Sequence, residues 1–166
     1  MADFRVERRK AVDYIALPVH TVMGELPARV GPAFAELDAY LEQRGAEVTG
    51  AGVIRYRSVS LDSPFTVEVA HAVMNVPRVR DRYAVGRFEA GLYAVAEQRG
   101  PYAWIGGLTR ELMEWGDSRG LDYAITPGGG AGPDRWDCWY ENSPEPPVEG
   151  PLGLEGRVEV CLLLRN

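Results

Sequence analysis

The apolar positions in the first half of the chain change period in a readable order. "VDYIALPVHTV" (12–22) is rich in β-branched and aromatic residues and predicts a strand. From Pro32, "PAFAELDAYLEQRG" puts Phe34, Leu37 and Leu41 on one helical stripe and turns Glu36, Asp38 and Glu42 away from it. Proline in the first turn and Gly45 just past the end bound that helix. "GVIRYRSVS" and "FTVEVAHAV" then alternate as strands around the turn-prone "LDSP". The order is strand, helix, strand, strand.

The second half repeats it. "GRFEAGLYAVAEQ" predicts a strand with a glycine marking a bulge. "GPYAWIGGLTRELMEWGDSRG" carries Ile105, Leu108, Leu112 and Trp115 at helical spacing, and "RWDCWYEN" and "RVEVCLLL" supply two more strands. Gly100–Pro101 stands 69 residues after Gly31–Pro32, and the "SRG" at Gly120 stands 75 after the "QRG" at Gly45, so the second copy is expected to be longer across its helix. "TVEVAHAV" and "RVEVCLLL" match again and set Glu68 against Glu159. The expectation is an α+β fold of two pseudo-symmetric β-α-β-β repeats, about 1–78 and 79–166, in one domain, 1–166. Helices would cover one sheet face, and a ligand groove would run between the repeats. "PGGGAGPD" (127–134) lacks the lysine of a phosphate-cradling loop and reads as a flexible turn; "SPEPPVEGPLGLEG" (143–156) reads as an irregular surface loop.

Strand alternation sorts the side chains further. In "RWDCWYEN", Trp136, Cys138 and Tyr140 fall on one face and Asp137, Trp139 and Glu141 on the other. Val158, Val160, Leu162 and Leu164 form an apolar row, as do Phe65, Val67 and Val69, so Glu159 and Glu68 point to the opposite face. Taken singly, each of these glutamates reads as solvated. The rings Tyr56, Tyr93, Tyr102, Trp104, Trp136, Trp139 and Tyr140 read singly as core, as does Trp115. Rings and a carboxylate on one wall, by contrast, suit a lipophilic cation: the faces attract it and the carboxylate supplies its countercharge.

Charge narrows the classes. A net charge of −6 and 25% charged residues argue against direct nucleic-acid binding, and "RRK" at 8–10 reads as a solvated strand end. There is no apolar run long enough for a membrane span and no leader pattern; two cysteines make no disulfide framework, so the expected location is cytoplasmic. His20 and His71 stand in no metal-ligand spacing, no nucleophile motif occurs, and neither a metal nor a cofactor is expected. His71 reads as a satisfied core or edge histidine.

The doubled strand–helix–strand–strand order, "LYAVAEQRGPY" leading into the second helix and "WYENSP" before the proline-rich loop together resemble the GyrI-like small-molecule-binding domain, over essentially the whole chain. That effector-binding module occurs alone and attached to AraC-type and MerR-type multidrug regulators. The resemblance implies binding of flat or cationic organic compounds between the repeats, and some free-standing members resemble hydrolases that open strained cyclopropane rings. The family commonly has a pocket glutamate two residues before the tyrosine of the "YxxxP" stretch; that tyrosine is Tyr140 here, and the glutamate's place is taken by Cys138. A neutral thiol supplies no countercharge. The role then falls to Glu68, Glu141, Glu159 or Asp137, with Glu68 and Glu141 leading, or it is absent. The ligand-contact candidates are Tyr56, Glu68, Tyr93, Trp104, Trp136, Cys138, Trp139, Tyr140 and Glu141. Three functions follow: a binder of hydrophobic, often cationic, small molecules; a hydrolase of electrophilic small molecules; and a protein-interaction module such as a gyrase inhibitor.

Overall fold

In the computed structural model, residues 2–128 and 132–165 are described, with Ala51 by its backbone alone. Residues 129–131, part of the predicted flexible turn, lie outside them. The strands are β1 (Asp3–Arg9), β2 (Val12–Thr21), β3 (Val48–Ser58), β4 (Phe65–Val73), β5 (Ala84–Phe88), β6 (Gly91–Pro101), β7 (Ile125–Thr126), β8 (Arg135–Asn142), β9 (Val148–Gly150) and β10 (Gly153–Leu163); the helices are α1 (Leu26–Gln43) and α2 (Ile105–Ser118). The main sheet runs β1-β6-β10-β8-β3-β4-β2-β5, with β7 added to β8 and β9 to β10. All of the pairings are antiparallel. The fold is therefore α+β.

Two short links force this sheet to curl. Only Glu89 and Ala90 separate β5 from β6, and only Lys10 and Ala11 separate β1 from β2, yet each link joins strands six places apart in the sheet order. Six strand spacings in a flat sheet would be about 29 Å. Three Cα steps reach about 11 Å at most. The edges must approach one another, and they do so over a residue of the central strand. Arg9 of β1 donates from Nη1 to the Tyr140 hydroxyl at 3.1 Å, and the Phe88 ring of β5 lies 4.4 Å from the Tyr140 ring.

Both helices pack on one face. α1 rests mainly on β2 and β4, and α2 on β6 and β10, which leaves the β3–β8 seam between them. The shared core contains Leu37, Leu41, Leu108 and Leu112 from the helices and Val67, Val69, Val158, Val160 and Leu162 from the sheet, so the two predicted apolar rows are found together here. The helices end alike. The N–H of Ala46 bonds to the Leu41 carbonyl and that of Gly45 to Glu42, and Leu121 and Gly120 repeat the pattern on Gly116 and Asp117. Gly45 and Gly120 adopt φ 63° and 68°, the left-handed conformation this motif needs.

Four expectations are corrected. α1 starts at Leu26, with Pro27 in its first turn, so Gly31 and Pro32 lie inside it and α1, at 18 residues, is longer than α2, at 14. Leu26, Val30, Ala33, Leu37 and Leu41 continue one stripe against the core, and that burial outweighs the interior proline. "GRFEAGLYAVAEQ" is two strands in different parts of the sheet rather than one strand with a bulge. "VEGPLGLE" within the supposed irregular loop forms a β9–β10 hairpin, with Val148 opposite Glu155 and Gly150 opposite Gly153. "DFRVERR", unassigned in the sequence, is edge strand β1, because Arg5 and Arg9 reach the buried Glu159 on the face within the curl of the sheet.

Candidate functional site

The sheet separates the predicted contact residues into two sets. Tyr56 and Trp139, direct partners across β3 and β8, lie on the helix side with ring centroids 4.6 Å apart. Glu141, two residues along β8, lies on the same side, and its Oε2 accepts from the Tyr56 hydroxyl at 3.1 Å. Trp136 joins them, contrary to simple alternation. Between Tyr56↔Trp139 and Ser58↔Arg135, one residue of β3 faces three of β8, and this bulge turns the Trp136 ring to within 5.0 Å of Trp139. Tyr123 extends the cluster at 6.0 Å from Trp136. The Trp139 Nε1 is buried with no hydrogen-bond acceptor among the described residues.

Glu68, Tyr93, Cys138 and Tyr140 occupy the other face, within the curl of the sheet, alongside Tyr14, Phe88 and Cys161. Trp104, half exposed, is apart from both sets, beside a cleft formed with Gln98, Gly107 and Glu111. Glu68 and Glu159, which read as solvated from sequence, are both buried. Glu68 accepts from Arg57 Nε at 3.0 Å and from the Tyr14 hydroxyl at 2.9 Å. Glu159 is paired with Arg5 at 3.3 Å and Arg9 at 3.2 Å, and Asn142 donates to it as well. Such pairing is the condition on which carboxylates are buried at all.

Glu141 is different. Among the described residues no arginine, lysine or histidine lies within ion-pair distance of it, and its one side-chain hydrogen bond comes from a neutral phenol. Desolvation pushes its carboxyl up to about 7, a rise that the Tyr56 hydrogen bond opposes. The Tyr56 phenol is raised well above its ordinary range by the same desolvation and then by the carboxylate. The seam between the helices thus holds an uncompensated carboxyl group on a floor of stacked rings.

Sequence reasoning overlooked Tyr14, Arg55 and Arg57. The signal was "RYR" within a strand, which puts two arginines on one face and a tyrosine on the other. Tyr14 Oη accepts from Arg55 at 3.0 Å and from Arg57 at 3.3 Å while donating to Glu68. His71 Nε2 lies 2.7 Å from Asp38 Oδ1 near α1, remote in role from either ring cluster. Among the described residues no three His, Cys, Asp or Glu side chains are grouped so as to hold a metal ion, and no helix is long and apolar enough to cross a membrane.

This architecture, a curled antiparallel sheet with two helices on one face, has solved counterparts. The C-terminal domain of EcmrR is similar with a TM-score of 0.66 at 11% identity, covering 100% of this chain and 99% of that domain. The EcmrR chain in a cryo-EM structure of its DNA complex gives a TM-score of 0.71 at 13% identity; the match covers 99% of this chain and spans 58% of the EcmrR chain's length. SAV2435 bound to tetraphenylphosphonium gives 0.50 at 12% identity, over 99% of this chain and 94% of that one. A hydrolase from Listeria innocua gives 0.57 at 10% identity, over 98% and 91%. At such identities the likeness is one of fold. No family model matches the sequence, and no curated protein does.

Proposed function

We propose that the chain binds hydrophobic organic cations, flat ones foremost, in the seam between α1 and α2. Glu141 provides the countercharge, and Tyr56, Trp139 and Trp136 provide the ring contacts. The carrying observation is a contrast among carboxylates: the buried Glu68 and Glu159 have arginine partners, while the partly buried Glu141 has only a phenol. A cation delivered there replaces lost hydration with a charge pair and aromatic faces, each face worth about 0.5–2 kcal/mol. The fold likeness to SAV2435, solved with the lipophilic cation tetraphenylphosphonium, supports this reading. So does the likeness to the C-terminal domain of EcmrR.

In this reading the two halves are pseudo-equivalent repeats of one domain, and the seam is their junction. Tyr93, Tyr140, Cys138 and Glu68 support it from the far face. The protein acts as a cytoplasmic sensor or sequestering protein, and any regulatory output passes through a protein partner rather than direct DNA contact. A second reading rests on the same carboxyl group. Held near neutrality beside a hydroxyl, Glu141 suits a general base that orients water toward an electrophilic small molecule.

The test is titration with rhodamine 6G, a flat fluorescent cation, following dye anisotropy and tryptophan quenching. Saturable binding that Glu141→Gln weakens about tenfold or more is the expected result. Saturable binding indifferent to Glu141→Gln would remove the carboxylate from the site. Turnover of a cyclopropane-bearing electrophile, lost in Glu141→Gln, would establish the hydrolytic reading instead.

A further inference from the structure

The far face of the sheet carries the opposite imbalance. Arg55 is 2% exposed, and its three hydrogen bonds go to neutral oxygens: the Tyr14 hydroxyl at 3.0 Å, the Arg87 carbonyl at 2.7 Å and the Asp137 carbonyl at 2.8 Å. Its Nε has no acceptor, and among the described residues no carboxylate lies within ion-pair distance of it. The carboxylate held next to it through Tyr14, Glu68, is already occupied by Arg57. A guanidinium taken out of water without a counterion is costly; three neutral oxygens and the Tyr14 and Phe88 rings, 5.7 and 5.9 Å away, hold it, and its positive charge stays unneutralised at the cleft.

Arg55 lines a cleft of about 470 Å³ beside the Glu89–Ala90 link, at one end of the curled sheet. Arg57, whose side chain is 51% exposed, and Arg135, at the start of β8, stand on the same cleft, and Trp136 and Leu163 give it an apolar wall. The volume falls within the range of small-molecule sites. Arginine forks bind carboxylate and sulfonate oxygens in pairs, with a geometry that an ammonium group does not offer. Glu89 and Asp137 also border the cleft, but both are exposed, so solvent and salt screen them far more than the buried Arg55. They do disfavour a multiply charged ligand.

We infer that this cleft is a second binding site, for a singly charged organic anion: a carboxylate or sulfonate on a flat, apolar body. The anionic group sits between Arg57 and Arg135 above Arg55, and the body lies against Trp136 and Leu163. The site shares the Trp136 ring with the cation seam, but its charged groups are its own and its charge preference is the opposite one.

The probe is 2-naphthoate, titrated by calorimetry and tryptophan quenching, with neutral 2-naphthol as the control of identical body. Naphthoate should bind at least tenfold tighter than naphthol. Arg135→Gln and Arg57→Gln should each weaken naphthoate about five- to tenfold while leaving rhodamine 6G unaffected. Glu141→Gln should leave naphthoate unaffected. Arg135→Gln breaks no hydrogen bond of the fold, so it keeps the test informative if Arg57→Gln, which frees Glu68, misfolds. Naphthoate binding no better than naphthol, or binding unchanged in Arg135→Gln, overturns the anion site whatever happens with the dye.

Discussion

The Tyr56 hydroxyl points across the β3–β8 seam to the Glu141 carboxylate, 3.1 Å away. This bond joins the middle strands of the sheet under the gap between the helices; it opposes the desolvation that raises the Glu141 carboxyl and adds to the desolvation that raises the Tyr56 phenol.

The first prediction concerns stability against pH. The Glu141 carboxyl has a folded value of about 7, above the ordinary 4.5. The folded state therefore holds that proton more tightly than the unfolded chain. The associated stability is complete below about pH 4.5 and is lost as pH rises through about 7, a change of about 3 kcal/mol at most. Glu141→Gln, which retains an acceptor for Tyr56, should remove that slope. Urea midpoints at pH 5 and pH 8 check it: the variant should match the parent at the lower pH and exceed it at the higher.

Cation binding should run the other way. Only the ionised carboxylate attracts a cation, so affinity for rhodamine 6G should rise with pH, with a midpoint near 7 in the free protein. Tyr56→Phe deletes the hydrogen bond that favours the ionised form, so its midpoint should lie higher than the parent's. Anisotropy titrations between pH 5.5 and 8.5 give both curves. A flat profile in the parent would separate the dye from Glu141.

On the far face, Tyr14→Phe should destabilise the fold by about 1–3 kcal/mol. The lost hydroxyl accepts from Arg55 and Arg57 and donates to Glu68, so the buried Arg55 and Glu68 and the half-exposed Arg57 lose a partner at once. Chemical denaturation measures the loss.

Gly116 offers a test of sign. An alanine replacing glycine within a helix ordinarily stabilises it by about 1 kcal/mol. Here a methyl group at Gly116 would collide with the Tyr123 hydroxyl, which donates to the Met113 carbonyl at 3.1 Å. Gly116→Ala should therefore destabilise the protein, and by less in a Tyr123→Phe background. Thermal melts of the two single variants and the double variant form the cycle.

Sequence pattern located most of the elements because their apolar residues repeat with clean periods: Val158 through Leu164 on a strand, Leu108 and Leu112 on a helix. It failed where a tertiary constraint overrode a local one. Pro32 looks like a helix start, yet the stripe that begins at Leu26 runs through it to the core. Trp136 should alternate away from Trp139, but a bulge, which leaves no trace in composition, brings the rings together. The candidate site was half legible. Tyr56, Trp136, Trp139 and Glu141 do converge, while Glu68, Tyr93, Cys138 and Tyr140 lie through the sheet from them, since parity separates faces without saying which one a ligand meets. The arginine cleft escaped notice because its charges come from β3 and β8, distant in sequence, and only the pairing of those strands unites them.

The two-residue links that curl the sheet also govern how the protein behaves among its own copies. Strand β1 closes one side of the sheet with "DFRVERR", alternating charge along its length. Strand β5 closes the other with only five residues, one of them Arg87 paired to Asp13. Short or charged borders of this kind offer a poor template for strand addition by a neighbouring molecule. Clipping the chain after Arg9 would expose the backbone of β6, whose apolar "LYAVA" run β1 normally covers. The clipped protein should then polymerise edge to edge, so residues 3–9 protect the protein against aggregation as well as holding the buried Glu159.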